Sequence, residues 1–163
     1  MTYISSDTNV WLDFDVISRI ELPFRLPCTY LMFTEALREE IMYPLTLLQK
    51  LQGLGLKGVD LTADELFYAD EIADKYVKLS GYDRTALAIA KYRGIPLLTG
   101  DNALRKAAKN EGVDVFGTIG LLDMLFELKL INKSEYKYCI ESFLNHGERR
   151  LPVEELQKRL GLL

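Results

Sequence analysis

The alternation of apolar and polar positions divides the chain into short strands and longer helices. Thr2 to Ser6 is a brief β-prone run that stops at Asp7, and Thr29 to Phe33 is a second that leads into a helix near Thr34. Around Gly53, Gly55 and Gly58 the periodicity lapses, which predicts a loop or a break between helices. Thr62-Ala-Asp-Glu65 matches a capping box and predicts a helix from about Ala63 to about Leu79. The stretch YDRTALAIAKYRGIPLLTGDNALRKAA, Tyr82 to Ala108, reads as a helix, a turn, a buried strand over Ile95 to Thr99 and another helix, which stops at Gly112 before a strand from Val113 to Phe116. Beyond Gly120 the pattern is wholly helical: Leu121 to Leu130, Lys133 to Leu144 and Pro152 to Leu160, with a break at His146-Gly147. Strands alternating with helices predict an α/β fold with a parallel sheet, finished by a helical tail.

This architecture brings together carboxylates that are far apart in sequence. In a βαβ unit the helix runs antiparallel to its strands, so a helix N-terminus and a strand C-terminus share one edge of the sheet. Asp83 at a helix start and Asp101 at a strand end therefore converge, and Asp7, at the end of the first strand, reaches the same edge. Ligands of open parallel sheets bind at that edge, where the strand order reverses. A helical wheel at about 100° per residue adds a fourth acid: Glu40 falls within the arc of Ala36, Leu37, Ile41 and Tyr43, whereas Arg38 and Glu39 fall outside it and read as solvated. A carboxylate on a packing face is costly unless it is paired, and a metal ion is a suitable partner. Hard cations such as Mg2+ take oxygen ligands from a few carboxylates and keep several waters.

Each acid also has a plainer reading. Asp83 and Asp101 can serve as helix caps, Asp7 as a strand-end turn residue, and Glu40 as a solvated residue whose place Glu39 or Glu35 takes. Asp13 and Asp15 do not directly follow an apolar strand and read as solvated, which argues against a phosphatase-like nucleophile motif. Tyr82 and Tyr92 read as helix packing, and His146 as a surface residue.

Composition narrows the chemistry. The chain has 163 residues, 48% hydrophobic and 27% charged, and its 20 basic and 24 acidic residues leave a net charge of −4, so any nucleic-acid contact must be local. Basic residues placed for such contact are Arg84, beside Asp83, and Arg105 and Lys106, one turn after Asp101; each also reads as a solvated charge on a helix face. A single histidine excludes a two-histidine ribonuclease mechanism and a histidine-rich zinc site, and no GxSxG, GxxxxGK[ST] or GxGxxG occurs. Cys28 and Cys139 stand alone, which fits a reduced cytoplasmic chain. MTYISSDTN has no basic region followed by an apolar stretch, and no apolar run approaches the ~18 residues of a membrane span.

The array SSDTN with Asp7, TEALREEI with Glu40, YDRTALAIA with Asp83 and PLLTGD with Asp101, followed by ALRKAAKNEGVDVFG, resembles the PIN-domain nucleases, and most nearly the VapC-like toxin ribonucleases of prokaryotic toxin–antitoxin pairs. The resemblance runs from about Tyr3 to Leu125 and implies a three-layer fold with a central parallel sheet flanked by helices. It also implies an Mg2+ or Mn2+ site and cleavage of single-stranded RNA. Residue by residue, Asp7, Glu40, Asp83 and Asp101 match the family's acidic positions, with the metal expected between Asp7, Asp83 and Asp101. Thr99 matches a hydroxyl residue that precedes the last acid, and Asn9 lies within the first motif. An antitoxin partner and a homodimer are further expectations. The division expected is a nuclease domain over 1–125 and a helical extension over 126–163, packed on or next to it.

Overall fold

The computed structural model describes residues 2–41 and 45–163, so Tyr43 of the helical wheel lies outside the described residues. Five strands, β1 (Thr2–Ser6), β2 (Cys28–Phe33), β3 (Lys57–Val59), β4 (Leu97–Leu98) and β5 (Val115–Phe116), form one sheet in the order β3-β2-β1-β4-β5. Every pairing is parallel, with Ile4 opposite Tyr30 and Ser6 opposite Leu98. The chain moves from β1 outward to β3, then crosses back to lay β4 on the other side of β1. The strand order therefore reverses between β1 and β4.

The helices among the described residues are α1 (Thr8–Val16), α2 (Thr34–Glu40), α3 (Leu45–Leu54), α4 (Ala63–Glu71), α5 (Gly81–Arg93), α6 (Asn102–Asn110), α7 (Thr118–Glu127), α8 (Lys133–Leu144) and α9 (Val153–Gly161). They cover both faces of the sheet. One apolar cluster joins Tyr68, Ile72, Leu87, Leu97, Leu104 and Ala108 from α4, α5, α6 and the sheet. The other joins Ile4, Tyr30 and Leu98 to Trp11, Phe14, Leu121, Ile140, Phe143 and Leu156. Leu97 and Leu98 enter opposite clusters because successive strand residues point to opposite faces. The result is a three-layer α/β fold, and the tail helices α8 and α9 contribute to the same core as α1 and β1.

Four local expectations are corrected. The region read as a loop around Gly58 contains β3, an edge strand too short and too rich in glycine to leave a pattern; a Cβ on Gly58 would lie 3.2 Å from Thr34 Oγ1, so the close approach to α2 suits glycine. The helix from Ala63 stops at Glu71 rather than Leu79, and a series of turns follows. Those turns bring Tyr76 to Glu111, where Oε1 accepts from Tyr68 Oη (2.6 Å) and Lys91 Nζ (3.0 Å), and Oε2 from Tyr76 Oη (2.6 Å) and Lys75 Nζ (2.9 Å). A tertiary hub thus overrides helical continuation. The helix expected from Leu121 begins three residues earlier, at Thr118.

The fourth correction is α1 itself. Val10, Trp11 and Phe14 are buried on it, but so is Asp13, at 3% exposure, where solvation was expected; Asp15 is exposed. Asp13 is tolerated because both oxygens are satisfied: Arg149 Nε donates to Oδ1 (2.7 Å) and Thr118 Oγ1 to Oδ2 (2.6 Å). Burial pushes the Asp13 carboxyl up, and the Thr118 and Arg149 bonds restrain it. Arg149 Nη2 also donates to the Asn9 carbonyl (3.1 Å), so one guanidinium fastens the segment before α9 to the start of α1.

Two outcomes follow for stability. Asp13→Ala should cost about 3 kcal/mol in urea unfolding, the low end for breaking a buried pair since Arg149 keeps some water access, and should open 146–152 to proteases; Asp13→Asn should cost less. The four donors, the two tyrosines foremost, hold the Glu111 carboxyl below its usual range. Its contribution is therefore full above the unfolded glutamate pKa of about 4.3 and declines as pH falls below it. Glu111→Gln should lower Tm by roughly 4–8 °C at pH 7, from ~2 kcal/mol of charged hydrogen bonding, and by less at pH 3.

Candidate functional site

The point where the strand order reverses is built around Asp7. Its backbone N–H donates to the Leu98 carbonyl (3.0 Å), extending the β1–β4 pairing by one residue before the chain turns into α1. Asp7 is the N-cap of that helix: Oδ1 accepts from the Thr8 N–H (2.8 Å). Oδ2 accepts from Thr99 Oγ1 (2.9 Å), and the same hydroxyl oxygen accepts from the Asp101 N–H (3.1 Å). Thr99, fully buried just past β4, therefore ties Asp7 to the loop that carries Asp101. Asp101 in turn caps α6, its Oδ1 accepting from the Leu104 N–H (2.8 Å).

Asp83 arrives from the helix that packs on β1 and β2. Ser80, not Asp83, is the N-cap of α5, and Asp83 completes a capping box: Oδ2 accepts from the Ser80 N–H (2.9 Å) while Ser80 Oγ accepts from the Asp83 N–H (3.1 Å). Glu40 closes the short α2 and is exposed rather than set in the packing face; Ala36, Leu37 and Ile41 fill that face. It still reaches the sheet edge, because Oε1 accepts from Thr8 Oγ1 (2.9 Å). Thr8 thus holds Asp7 through its amide and Glu40 through its hydroxyl, a role no pattern in the sequence marks. Glu39 accepts from the Tyr82 hydroxyl, and Glu35 is exposed at the start of α2.

These four carboxylates share one electrostatic environment. Burial pushes the Asp7 carboxyl up to about 7, the negative charges of Asp83 and Glu40 add to the rise, and the bonds from Thr99 and Thr8 oppose it. Glu40, although exposed as a residue, has its carboxyl raised by partial desolvation at the sheet edge, with Asp83 and Glu39 adding to it and the Thr8 hydroxyl holding it down. Asp83 is raised by burial and by Asp101, against the Ser80 bonds and Arg84. Against these four carboxylates Arg84, which lowers Asp83, is a lone basic neighbour among the described residues, so the cluster is short of positive charge, and its all-oxygen donor set suits a hard divalent cation. As the side chains stand, however, one oxygen each of Asp7, Asp83 and Asp101 serves a helix end, and Asp7 Oδ2 and Glu40 Oε1 accept from threonine hydroxyls. Among the described residues, no three His, Cys, Asp or Glu side chains are gathered so as to hold a metal ion. The fit is one of donor chemistry and charge, not of a preformed shell.

Asn9 is exposed, and its carbonyl accepts from Arg149. Arg84 is half-buried beside Asp83, and its Nε is buried without a hydrogen-bond partner among the described residues. Arg105 lies against the backbone after β5, where a Cβ on Gly117 would come within 2.7 Å of its Nη1. Lys106 is exposed on α6. Tyr82 packs on Phe33, at a ring separation of 6.4 Å.

A cleft of about 790 Å3 adjoins the cluster and is lined by Asp101, Asn9 and the tail residues 148–152 among others. No helix among the described residues is long and apolar enough to cross a membrane.

Comparison with known proteins adds one finding to this geometry. A family model described as PIN domain matches residues 4–163, which takes in the tail helices as well as the sheet. Neither curated proteins nor solved structures give a significant match. With a match over nearly its whole length, a five-stranded parallel sheet and carboxylates at its switch point, the chain belongs to the PIN-domain family, whose members are generally nucleases.

Proposed function

We propose that this protein is a divalent-metal-dependent endoribonuclease that cleaves single-stranded RNA in the cytoplasm, and that it acts as the toxin of a toxin–antitoxin pair, working as a homodimer. The observation that carries the reading is the mutual electrostatic strain of Asp7, Glu40 and Asp83 at the edge where the strand order reverses, with Asp101 raising Asp83 in turn. Such an arrangement disfavours the apo state and favours a cation. Asp7, Asp83 and Asp101 are the residues that would hold Mg2+ or Mn2+, with Glu40 near them. When bound, the ion supplies charge stabilisation and lowers the pKa of a coordinated water. The chain's own contributions are distinct. Thr99 orients Asp7 and positions the Asp101 loop through one hydroxyl, Thr8 orients Glu40, and Arg84, Arg105 and Lys106 supply positive charge for phosphates beside the acids. Residues 126–163 extend the nuclease core and wall one side of the cleft.

A second reading is a PIN fold that binds RNA or a protein partner without turnover. It is favoured by the absence, among the described residues, of a preformed metal-holding group. A phosphatase-like role for Asp13 is disfavoured, since both its oxygens are committed to Arg149 and Thr118.

Asp7→Asn and Asp101→Asn should each reduce Mn2+-dependent cleavage of a labelled single-stranded RNA by at least ~100-fold, since losing a metal-held carboxylate removes charge stabilisation of several kcal/mol. Folding should survive, because asparagine also caps helices. Asp7 is an acid whose pKa is raised in the fold, so it opposes folding increasingly as pH rises from the unfolded aspartate value of about 3.9 towards about 7. Metal-free Asp7→Asn should therefore have a higher Tm than the parent at pH 8, with the difference vanishing near pH 4. Mn2+ should raise the Tm of the parent and not of the variant. RNA binding by the parent without any Mn2+-dependent cleavage would favour the silent reading; a loss of stability in metal-free Asp7→Asn at pH 8 would make Asp7 a cap alone.

A further inference from the structure

The cleft beside the acidic cluster is walled by guanidinium groups from two distant parts of the chain: Arg105 from α6, and Arg149, Arg150 and Arg159 from the tail. They are not equivalent. Arg149 is committed to Asp13, and Arg159 donates to Asp123 and Glu155 at 2.7–3.0 Å, so both are neutralised and act as wall. Arg105 and Arg150, by contrast, make no side-chain hydrogen bond or ion pair among the described residues. Of the acids in the wall, Glu148 is engaged by His146 (2.8 Å) and Asp101 belongs to the cluster itself.

The position of Arg150 is built rather than incidental. It is held at φ +58, a left-handed conformation that disfavours most side chains, with its N–H donating to the Gly147 carbonyl (3.0 Å). The Arg149–Asp13 pair fixes the residue before it and so sets where Arg150 stands relative to α1. The same cleft is lined by Gly117, over which Arg105 lies, and by the first turn of α7.

We propose that this cleft is the track along which the phosphodiester backbone of single-stranded RNA runs beyond the acidic cluster, with Arg105 and Arg150 as its two phosphate contacts and the tail as part of the substrate-binding surface. The proposal rests on the nuclease reading and deepens it. The cleft is polar, includes Asp101 in its lining and offers two unpaired guanidiniums in its wall. Arginine suits phosphate oxygens by its planar fork of donors. A chain with net charge −4 can hold a polyanion only through such a local arrangement. Contacts of this kind position a strand and do not read its bases.

The test is fluorescence-anisotropy titration of the full chain with labelled RNA of about 4 and about 15 nucleotides, at several salt concentrations, with Ca2+ in place of Mg2+ to suppress cleavage. Arg150→Gln and Arg105→Gln should each weaken binding of the longer RNA roughly tenfold near 100 mM salt and reduce the salt slope by about 0.7, the value for one lost single-strand phosphate contact. Arg150→Lys should retain the slope, which separates lost charge from a disturbed turn. The shorter RNA, reaching only the cluster, should be insensitive to Arg150→Gln. Unchanged slopes in both glutamine variants, with intact RNA binding and cleavage, would overturn the track and leave the nuclease reading standing. A parent that neither binds nor cleaves single-stranded RNA would overturn both. Arg150-dependent binding of a polyglutamate peptide in place of RNA would assign the cleft to an acidic protein segment and overturn the proposal.

Discussion

Much of this molecule is organised around one unfavourable interaction, the burial of Asp7 among other carboxylates where β1 meets β4. A buried aspartate is ordinarily neutralised by a basic partner, and Asp13 shows how this same chain does so with Arg149 and Thr118. Asp7 receives only hydroxyl and amide donors, from Thr99 and Thr8, while Asp83 and Glu40 raise its carboxyl further. The two buried aspartates of this short segment therefore differ: Asp13 is paired with a guanidinium and a hydroxyl, whereas Asp7, the N-cap, has no basic partner. Strain of this kind persists only where the surrounding fold compels it, and here the parallel pairing of β1 with β4 does so.

Capping does not use up the hydrogen-bonding capacity of these acids. Asp7 and Asp101 cap α1 and α6, and Asp83 completes the capping box of α5, so three helices begin at the edge where the carboxylates collect. Each helix start supplies partial positive charge that makes a carboxylate tolerable, and each carboxylate in return fixes the helix start. The fold can therefore hold several acids together without a basic residue for each. Asp83 and Asp101 also retain an oxygen beyond the one that serves the helix end.

The tail is part of the same physical system. Tyr136, Cys139, Ile140 and Phe143 of α8 and Leu156 of α9 lie in the cluster that includes Trp11 and Phe14, so the tail shares the core rather than trailing from it. Arg149 then carries the tail to the N-terminal end of α1, close to the acids. The Arg149–Asp13 pair couples the last quarter of the chain to the geometry of the cleft. Family membership over residues 4–163 is in keeping with a tail integral to the fold.

The sequence by itself determined the parallel α/β architecture and that Asp7, Asp83 and Asp101 stand at helix starts, because hydrophobic periodicity and the handedness of βαβ units are local or topological rules. It also marked the capping box at Thr62 and the extent of α8 from Lys133 to Leu144, where propensity, caps and pattern agree. Only the tertiary structure decided the rest. The burial of Asp13 depends on Arg149, 136 residues away, and no local window contains that partner. The early end of α4 depends on Tyr76 reaching Glu111 across the fold. Glu40 reaches the cluster not through a buried helix face but through the Thr8 hydroxyl, a contact between two segments whose approach is set by the packing of α1 against α2. Periodicity reports which face of an element is dry; which polar group another element brings to that face is a property of three-dimensional packing alone.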